Sequence, residues 1–411
     1  MLRIVSSSDS RALARVLAPP ASRDTSLDRR VAAIVADVRK SGDRALLAYA
    51  KRFDGLTGKV EIGPDEIAKA AATVPARTRR ALKAAARHIR EVAKTQVPVS
   101  RRVKVAPGIV VEQRVTPLER VGCYVPAGRY PLPSSLLMTA IPARVAGVTE
   151  VIAVCPRPAP VVLAAALEAG VDRLFRIGGA HAIAALAYGT AQVPRVDKIV
   201  GPGNAYVAAA KALVQGDCAI DFRAGPSEIV IVSSSGDPAW IAADLIAQAE
   251  HDVDARAILL TPSRRLATQV HREVASRLPS DGPAREALDR NGCIVVTKSL
   301  RESIALANAI APEHLVCEDE AVVDGVRAGA VFVGGWSAQA AGDYATGSNH
   351  VLPTAGAARF RGGLSASDFV RVSSVQRLTR RGLASIAAAV TTLAEAEGLV
   401  AHAQSIRVRL G

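Results

Sequence analysis

The chain reads as an α/β protein: two Rossmann-like open parallel-sheet domains with small helical N- and C-terminal extensions. Three observations predict this. From about residue 150 to 335, short apolar runs alternate with helical stretches, the pattern of parallel sheets covered on both faces. Glycines stand at strand-to-helix turns or helix ends, where positive φ is needed. The alternation breaks near AGPSE (224–228), which divides it into two sheets.

Taken in order, residues 1–25 form an N-terminal extension. Its start, MLRIVSSSDSRALARVLAPP, has Arg, Ser and few acids and loosely imitates a transit peptide. It lacks the apolar core of a signal peptide and is read as part of the mature fold. Residues 26–100 read as helices, because apolar residues recur there at three- and four-residue spacing. Strands are then expected at EVIAVCP (150–156), RLFRIGG (173–179) and DKIVGPGN (197–204), each followed by a helix. The pattern resumes with EIVIVSS (228–234), AILLTPS (257–263), CIVVTKS (293–299), HLVCED and AVFVGG (330–335). A first domain is assigned residues 26–123 and 227–365, and a second 124–226. The tail, 366–411, is read as helical and packed on another domain or on a second subunit.

With 411 residues and 49% apolar content, the chain has ample core for two domains. Its net charge of +14 suits anionic partners, but the arginines are spread along the whole chain. The densest basic stretch, RTRRALKAAARHIREVAK (77–94), reads as a solvated helix face, since no nucleic-acid motif accompanies it. Five scattered cysteines with no CxxC exclude a disulfide framework and a thiolate zinc site, and they fit a reducing, cytoplasmic setting. No apolar run is long enough to span a membrane.

Several segments offer chemistry. APEHLVCED (311–319) sets Glu313 beside His314, an acid–base pair or ordinary loop punctuation. VPAG (125–128), IGGAH (177–181) and GPGN (201–204) are Gly-bearing turns at strand ends that could receive phosphate; tight turning is the plainer reading, and GxGxxG is absent. QAEH (248–251) puts Gln248 and His251 on one helix face, which could begin a metal site. On this motif alone, a surface Gln and a histidine favoured by the helix dipole are preferred. Further donors occur as Asp343 and His350 in GDYATGSNHVLPT (342–354) and as Glu397 and His402 in LAEAEGLVAH (393–402), without joining them into one site. His88 and His271 read as helix-surface residues.

Taken together, these blocks resemble the histidinol dehydrogenase family over about residues 26–409. The resemblance is carried by VPAGRYPLPSSLLMTAIPARVAG, IGGAHAIAALAYGT, VDKIVGPGNAYV, AGPSEIVI, DLIAQAEHD, APEHL, AGDYATGSNHVLPT and AEGLVAH. It implies one zinc ion per subunit, held by Gln248, His251, Asp343 and His402. It implies substrate contacts from those ligands and from Ser227, His314 and Glu397, with His350 beside the substrate. NAD would meet Tyr124, His181 and Asn204, and Glu313 and His314 would be the catalytic pair. Zinc and the catalytic residues fall to the first domain and NAD to the second. The implied reaction is the four-electron oxidation of L-histidinol to L-histidine through the aldehyde, with two NAD, in a homodimer whose tails are swapped. The chain departs from the family at His181, where Gln is usual, and at Ala127, where Gly is usual. Imidazole cannot copy both functions of an amide. Two other readings are a zinc/NAD dehydrogenase of another amino alcohol or diol, and a basic nucleic-acid-binding protein on a retired enzyme fold. A coupled assay on several alcohols separates the first, and a salt-dependent DNA titration the second.

Overall fold

The computed structural model of the chain describes residues 2–18, 25–127, 130–223 and 225–411. Gly128 of VPAG, Ala224 of AGPSE and the end of the N-terminal extension lie outside the described residues.

The first sheet has six strands, ordered Arg3–Ser6, Cys293–Val296, Arg256–Thr261, Glu228–Val232, His314–Cys317, Ala330–Val333. All its pairings are parallel. The central strand Glu228–Val232 is buried at every residue, which is why EIVIV reads as an unbroken run rather than an alternation. Chain order reverses between Glu228–Val232 and His314–Cys317, so the crevice of this doubly wound sheet lies there.

The second sheet also has six strands, ordered Glu61–Ile62, Arg173–Phe175, Glu150–Val154, Arg120–Tyr124, Lys198–Val200, Ala219–Ile220. It is parallel except for the edge strand Glu61–Ile62. Here the order reverses between Arg120–Tyr124 and Lys198–Val200.

The two parallel sheets were expected; three placements differ. The N-terminal extension is no mere appendage, because Arg3–Ser6 pairs with Cys293–Val296 as an edge of the first sheet. The helices between residues 25 and 96 cover the second sheet, not the first. Val31 and Leu46 pack with Phe175 and Ile183, while Leu82 and Ile89 pack with Leu136 and Ile141. The tail opens with a strand, Val370–Leu378, antiparallel to Ile109–Pro117, which pairs in turn with Arg101–Ala106. This third sheet was missed because its strands are half exposed and rich in arginine. Inside it Glu112 takes bonds from Arg102, Arg114 and Arg377. Bonding to Arg114 and Arg377 holds its carboxyl down at about 2.

The basic helix Ala76–Gln96 buries Leu82, Ala86, Ile89 and Ala93 and turns its cations outward. That is a solvated face over an apolar stripe. No helix among the described residues is long and apolar enough to cross a membrane.

Candidate active site

Glu313 and His314 open the strand His314–Cys317, whose neighbour in register is Ile229. They therefore stand at the amino edge of the first sheet, beside Glu228. Gln248 is in the last turn of the helix Pro238–Ala249 and His251 just follows it. That helix returns from the strand Glu228–Val232 to the start of Arg256–Thr261, so its end reaches the same amino edge. Ligand sites in open sheets usually lie at the carboxyl edge; this cluster does not.

His314 is buried. Its Nδ1 donates to the Glu228 carbonyl at 3.3 Å, and the Gln339 amide donates to its Nε2 at 3.3 Å. The ring is thereby held with the proton on Nδ1 and an accepting Nε2. Glu313 Oε2 lies 3.7 Å from Nδ1 and Asp343 Oδ1 3.7 Å from Nε2. Burial disfavours the imidazolium, but Glu313, Asp343 and the Glu228 carbonyl outweigh it and raise the pKa. Nε2 is thus a base whose protonated form has a carboxylate waiting for it.

Glu313 accepts the Glu228 N–H at 2.9 Å and a bond from the Ser227 side chain. Burial pushes its carboxyl up, against the opposing pull of His314 and these bonds. Asp343 takes the Gln339 amide at 2.7 Å. Burial would raise Asp343 as well, yet the imidazoles of His314, His350 and His251 hold it below the ordinary carboxylate range.

His251 turns Nδ1 to the carbonyls of Ala247 and Gln248, 3.2 Å each, and presents Nε2 at 3.9 Å from Asp343 Oδ2. His350 donates from Nδ1 to the Asp343 carbonyl at 2.8 Å, and burial lowers its pKa. Gln248 is fully buried, and neither Oε1 nor Nε2 finds a partner. A buried orphaned amide costs about 1–3 kcal/mol. An orphaned amide oxygen, an imidazole lone pair one turn on and a depressed carboxylate are donors that fit a divalent cation.

The remaining expected donors are not brought in within the chain. Glu397 and His402 lie on exposed surface of the helical tail, which packs on itself and on the third sheet. Among the described residues, no three His, Cys, Asp or Glu side chains form a metal-holding group.

The residues expected to meet NAD gather at the carboxyl edge of the second sheet. Tyr124 ends its strand and its hydroxyl accepts the Gly179 N–H at 3.0 Å; burial pushes that phenol up to about 12. Asn204 caps the helix Ala205–Val214, taking the N–H groups of Tyr206 and Val207 at 3.1 and 3.2 Å. Gly201 has φ +114°, and a Cβ there would stand 2.2 Å from the Tyr124 carbonyl oxygen, so only glycine fits. His181 is buried with Nε2 2.8 Å from Asp54 Oδ2, which also accepts the Gly178 N–H at 3.0 Å. The Gly201 N–H is taken by Asp221 at 2.7 Å. Three N–H groups of these glycine turns are therefore held by Asp54, Tyr124 and Asp221 and are not free for phosphate. The segment after Asp343 runs from one sheet to the other: Asn349 donates to the Met138 carbonyl at 2.6 Å, and Val351 joins the core that packs on the second sheet.

Three residues here carried no assignment from the sequence, and two histidines stand differently from their reading there. Glu228 was legible as a carboxylate opening an apolar strand, and Gln339 as a partner four residues before Asp343. Asp54 gave no local signal, standing 127 residues from His181. His88 is no plain surface residue, since its Nδ1 donates to the Ala345 carbonyl at 2.7 Å and braces the loop after Asp343. Likewise, Nδ1 of His271 is buried.

Glu228 carries a testable consequence. Burial raises its pKa from 4.5 to about 7, against the opposing pull of Arg256. An acid with a raised native pKa contributes stability that is full below the unfolded value and lost as pH rises through the native one. Wild-type stability should therefore decline between about pH 4.5 and 7, by on the order of 3 kcal/mol from this group. Glu228→Gln should show a shallower decline in chemical denaturation across that range; an unchanged slope would contradict it.

The model of the histidinol dehydrogenase family matches residues 18–410 of this chain. The histidinol dehydrogenase of Geobacter sulfurreducens is 46% identical across 97% of this chain and 96% of its own length. That of Methanosarcina mazei is 44% identical across 93% of this chain and 91% of its own. The crystal structure of histidinol dehydrogenase from Elizabethkingia anophelis superposes with a TM-score of 0.94 at 33% identity, covering 100% of this chain and 98% of that one.

Proposed function

The chain belongs to the histidinol dehydrogenase family, and from that premise we propose that Glu313 and His314 divide a two-step, NAD-dependent oxidation of L-histidinol to L-histidine. The observation that carries this is the buried Glu313–His314–Asp343 cluster.

In the alcohol step, the substrate hydroxyl gives its proton to His314 Nε2. Gln339 sets the ring, and Asp343 lies where the new imidazolium charge appears. In the aldehyde step, water must add to the carbonyl carbon. Glu313, its basicity raised by burial, takes the proton of that water. Ser227 and the Glu228 N–H hold the Glu313 carboxyl in place. NAD supplies the hydride acceptor for both steps. Tyr124 and Asn204 would contact it. The Nε2 of His181 is committed to Asp54, so His181 would act by holding the Gly178–Gly179 turn.

Gln248, His251, Asp343 and His402 of the partner subunit would hold one zinc per subunit, which supplies a template for imidazole and amine nitrogens. Glu397 would touch substrate from the same swapped tail. Two observations support a homodimer. Val103, Val105 and Val372 are exposed on the third sheet, and Leu393 and Val400 on the tail. The tail donors also lack partners at the cluster within their own chain. All five cysteines are free and buried, which suits a cytoplasmic enzyme.

The division of labour is tested by Glu313→Gln. Alcohol oxidation should persist while aldehyde oxidation falls about 10²-fold or more, so that NADH is formed near one per histidinol and aldehyde accumulates. Equal loss in both steps would contradict the assignment.

A further inference from the structure

Behind Glu228, away from the reaction centre, lies a cavity of about 310 Å³ at the junction of Arg3–Ser6, the helix Ser10–Leu17 and the strands Arg256–Thr261 and Cys293–Val296. Among the described residues, its wall contains four arginines, Arg3, Arg15, Arg256 and Arg290, and no carboxylate. The other described wall residues are neutral, including Val16 and Asn291.

The four cations are unequally satisfied. Arg256 is the least exposed of the four: Nη1 donates to Glu228 Oε2 at 3.3 Å and Nη2 to the Val16 carbonyl at 2.6 Å. Arg290 pairs with Glu286 at 2.5 Å on its own helix. Arg3 and Arg15 have no carboxylate partner among the described residues. Among the described residues, two carboxylates outside the wall thus pair with two of its four arginines. Like charges crowded around a cavity repel one another, and the low-dielectric wall strengthens the field between them. A further anion for Arg3 and Arg15, not a further apolar contact, is what this arrangement lacks.

The geometry points to a binding site for a small phosphate-bearing anion. Guanidinium forks match phosphate oxygens in pairs, and several forks can converge on one phosphoryl group. The volume exceeds that of a lone phosphate and accommodates a short ester or a diphosphate. Arg256 ties the site to the catalytic pair, because it also holds Glu228, whose backbone bonds both Glu313 and His314. The proposal does not depend on the roles assigned to that pair.

The test uses the full-length protein and inorganic phosphate at constant ionic strength. Phosphate at about tenfold excess over its Kd should raise the wild-type thermal midpoint by about 2 °C. The Arg3→Ala/Arg15→Ala double variant should keep wild-type activity without phosphate and lose the shift. No shift in the wild type, or an equal shift in the double variant, would overturn the site; the second result would place phosphate elsewhere. If the double variant does not fold, Arg15→Ala alone should weaken the Kd from calorimetry by about tenfold, and an unchanged Kd would overturn the site equally.

Discussion

Replacing His314 with alanine should lower kcat for histidinol oxidation by about 10²- to 10⁴-fold. The expectation follows from how completely the ring is set. Its Nδ1 proton is fixed on the Glu228 carbonyl, its Nε2 is directed by Gln339, and two carboxylates lie 3.7 Å from its nitrogens. No other imidazole can substitute. His350 spends its Nδ1 on the Asp343 carbonyl and is driven toward neutrality by burial, while His251 faces Asp343 from the helix end. The variant removes a buried side chain whose departure leaves Asp343 and Glu313 nearer to mutual repulsion, so a moderate loss of stability is expected too. Steady-state kinetics with metal analysis separates the two effects. Zinc content close to wild type with kcat reduced at least about 10²-fold is the predicted result. A loss below tenfold would show that the hydroxyl proton leaves by another route.

The second large effect concerns Gln248 and His251. Among the described residues, Gln248 differs from Thr116, His271 and Gln339, which each leave one buried polar atom without a partner, in leaving both of its own unpaired. A bound cation resolves that deficit, and the lone pair on His251 Nε2 completes the face. Removing His251 should therefore take zinc below about a tenth of an equivalent under dialysis and lower kcat/KM by about 10²- to 10³-fold, the several kcal/mol expected of a lost metal. Gln248→Leu is the sharper case. Without metal, an apolar side chain of similar size relieves two orphaned atoms, so this variant should bind no zinc yet melt no lower than the metal-free wild type. A Gln248→Leu protein that melts well below the metal-free wild type would mean that the amide has a structural role instead.

The parallel strands were legible because burial on both faces writes them as continuous apolar runs. EIVIV at 228–232 and CIVV at 293–296 are of this kind. The third sheet was not legible. RRVKVA at 101–106 is exposed at nearly every position, and VRVSSVQRL at 370–378 pairs with Ile109–Pro117, a strand that starts 261 residues earlier, beyond any local pattern's reach. The same limit divides the site. Glu313, His314, Gln248, His251 and Asp343 stand in short blocks that can be compared with a family, and the chain brings Glu313, His314, His251 and Asp343 into one cluster. What the blocks could not show is the support behind them: Glu228 under the pair, Gln339 between ring and carboxylate, and Asp54 holding His181 across the fold. Nor could the position of 402 in the string reveal whether its helix serves its own chain or a neighbouring copy.

That last question is the one on which the whole site turns, and mixing two dead subunits answers it. His314→Ala protein and His402→Ala protein are each expected to be inactive. Exchanged by mild unfolding and refolding, they should form about half mixed dimers. If the tail crosses between subunits, each mixed dimer contains one site with an intact body and an intact tail, and the mixture should recover about a quarter of wild-type activity. If every tail serves its own body, no mixed dimer contains an intact site. A mixture that contains mixed dimers and stays inactive would contradict the account.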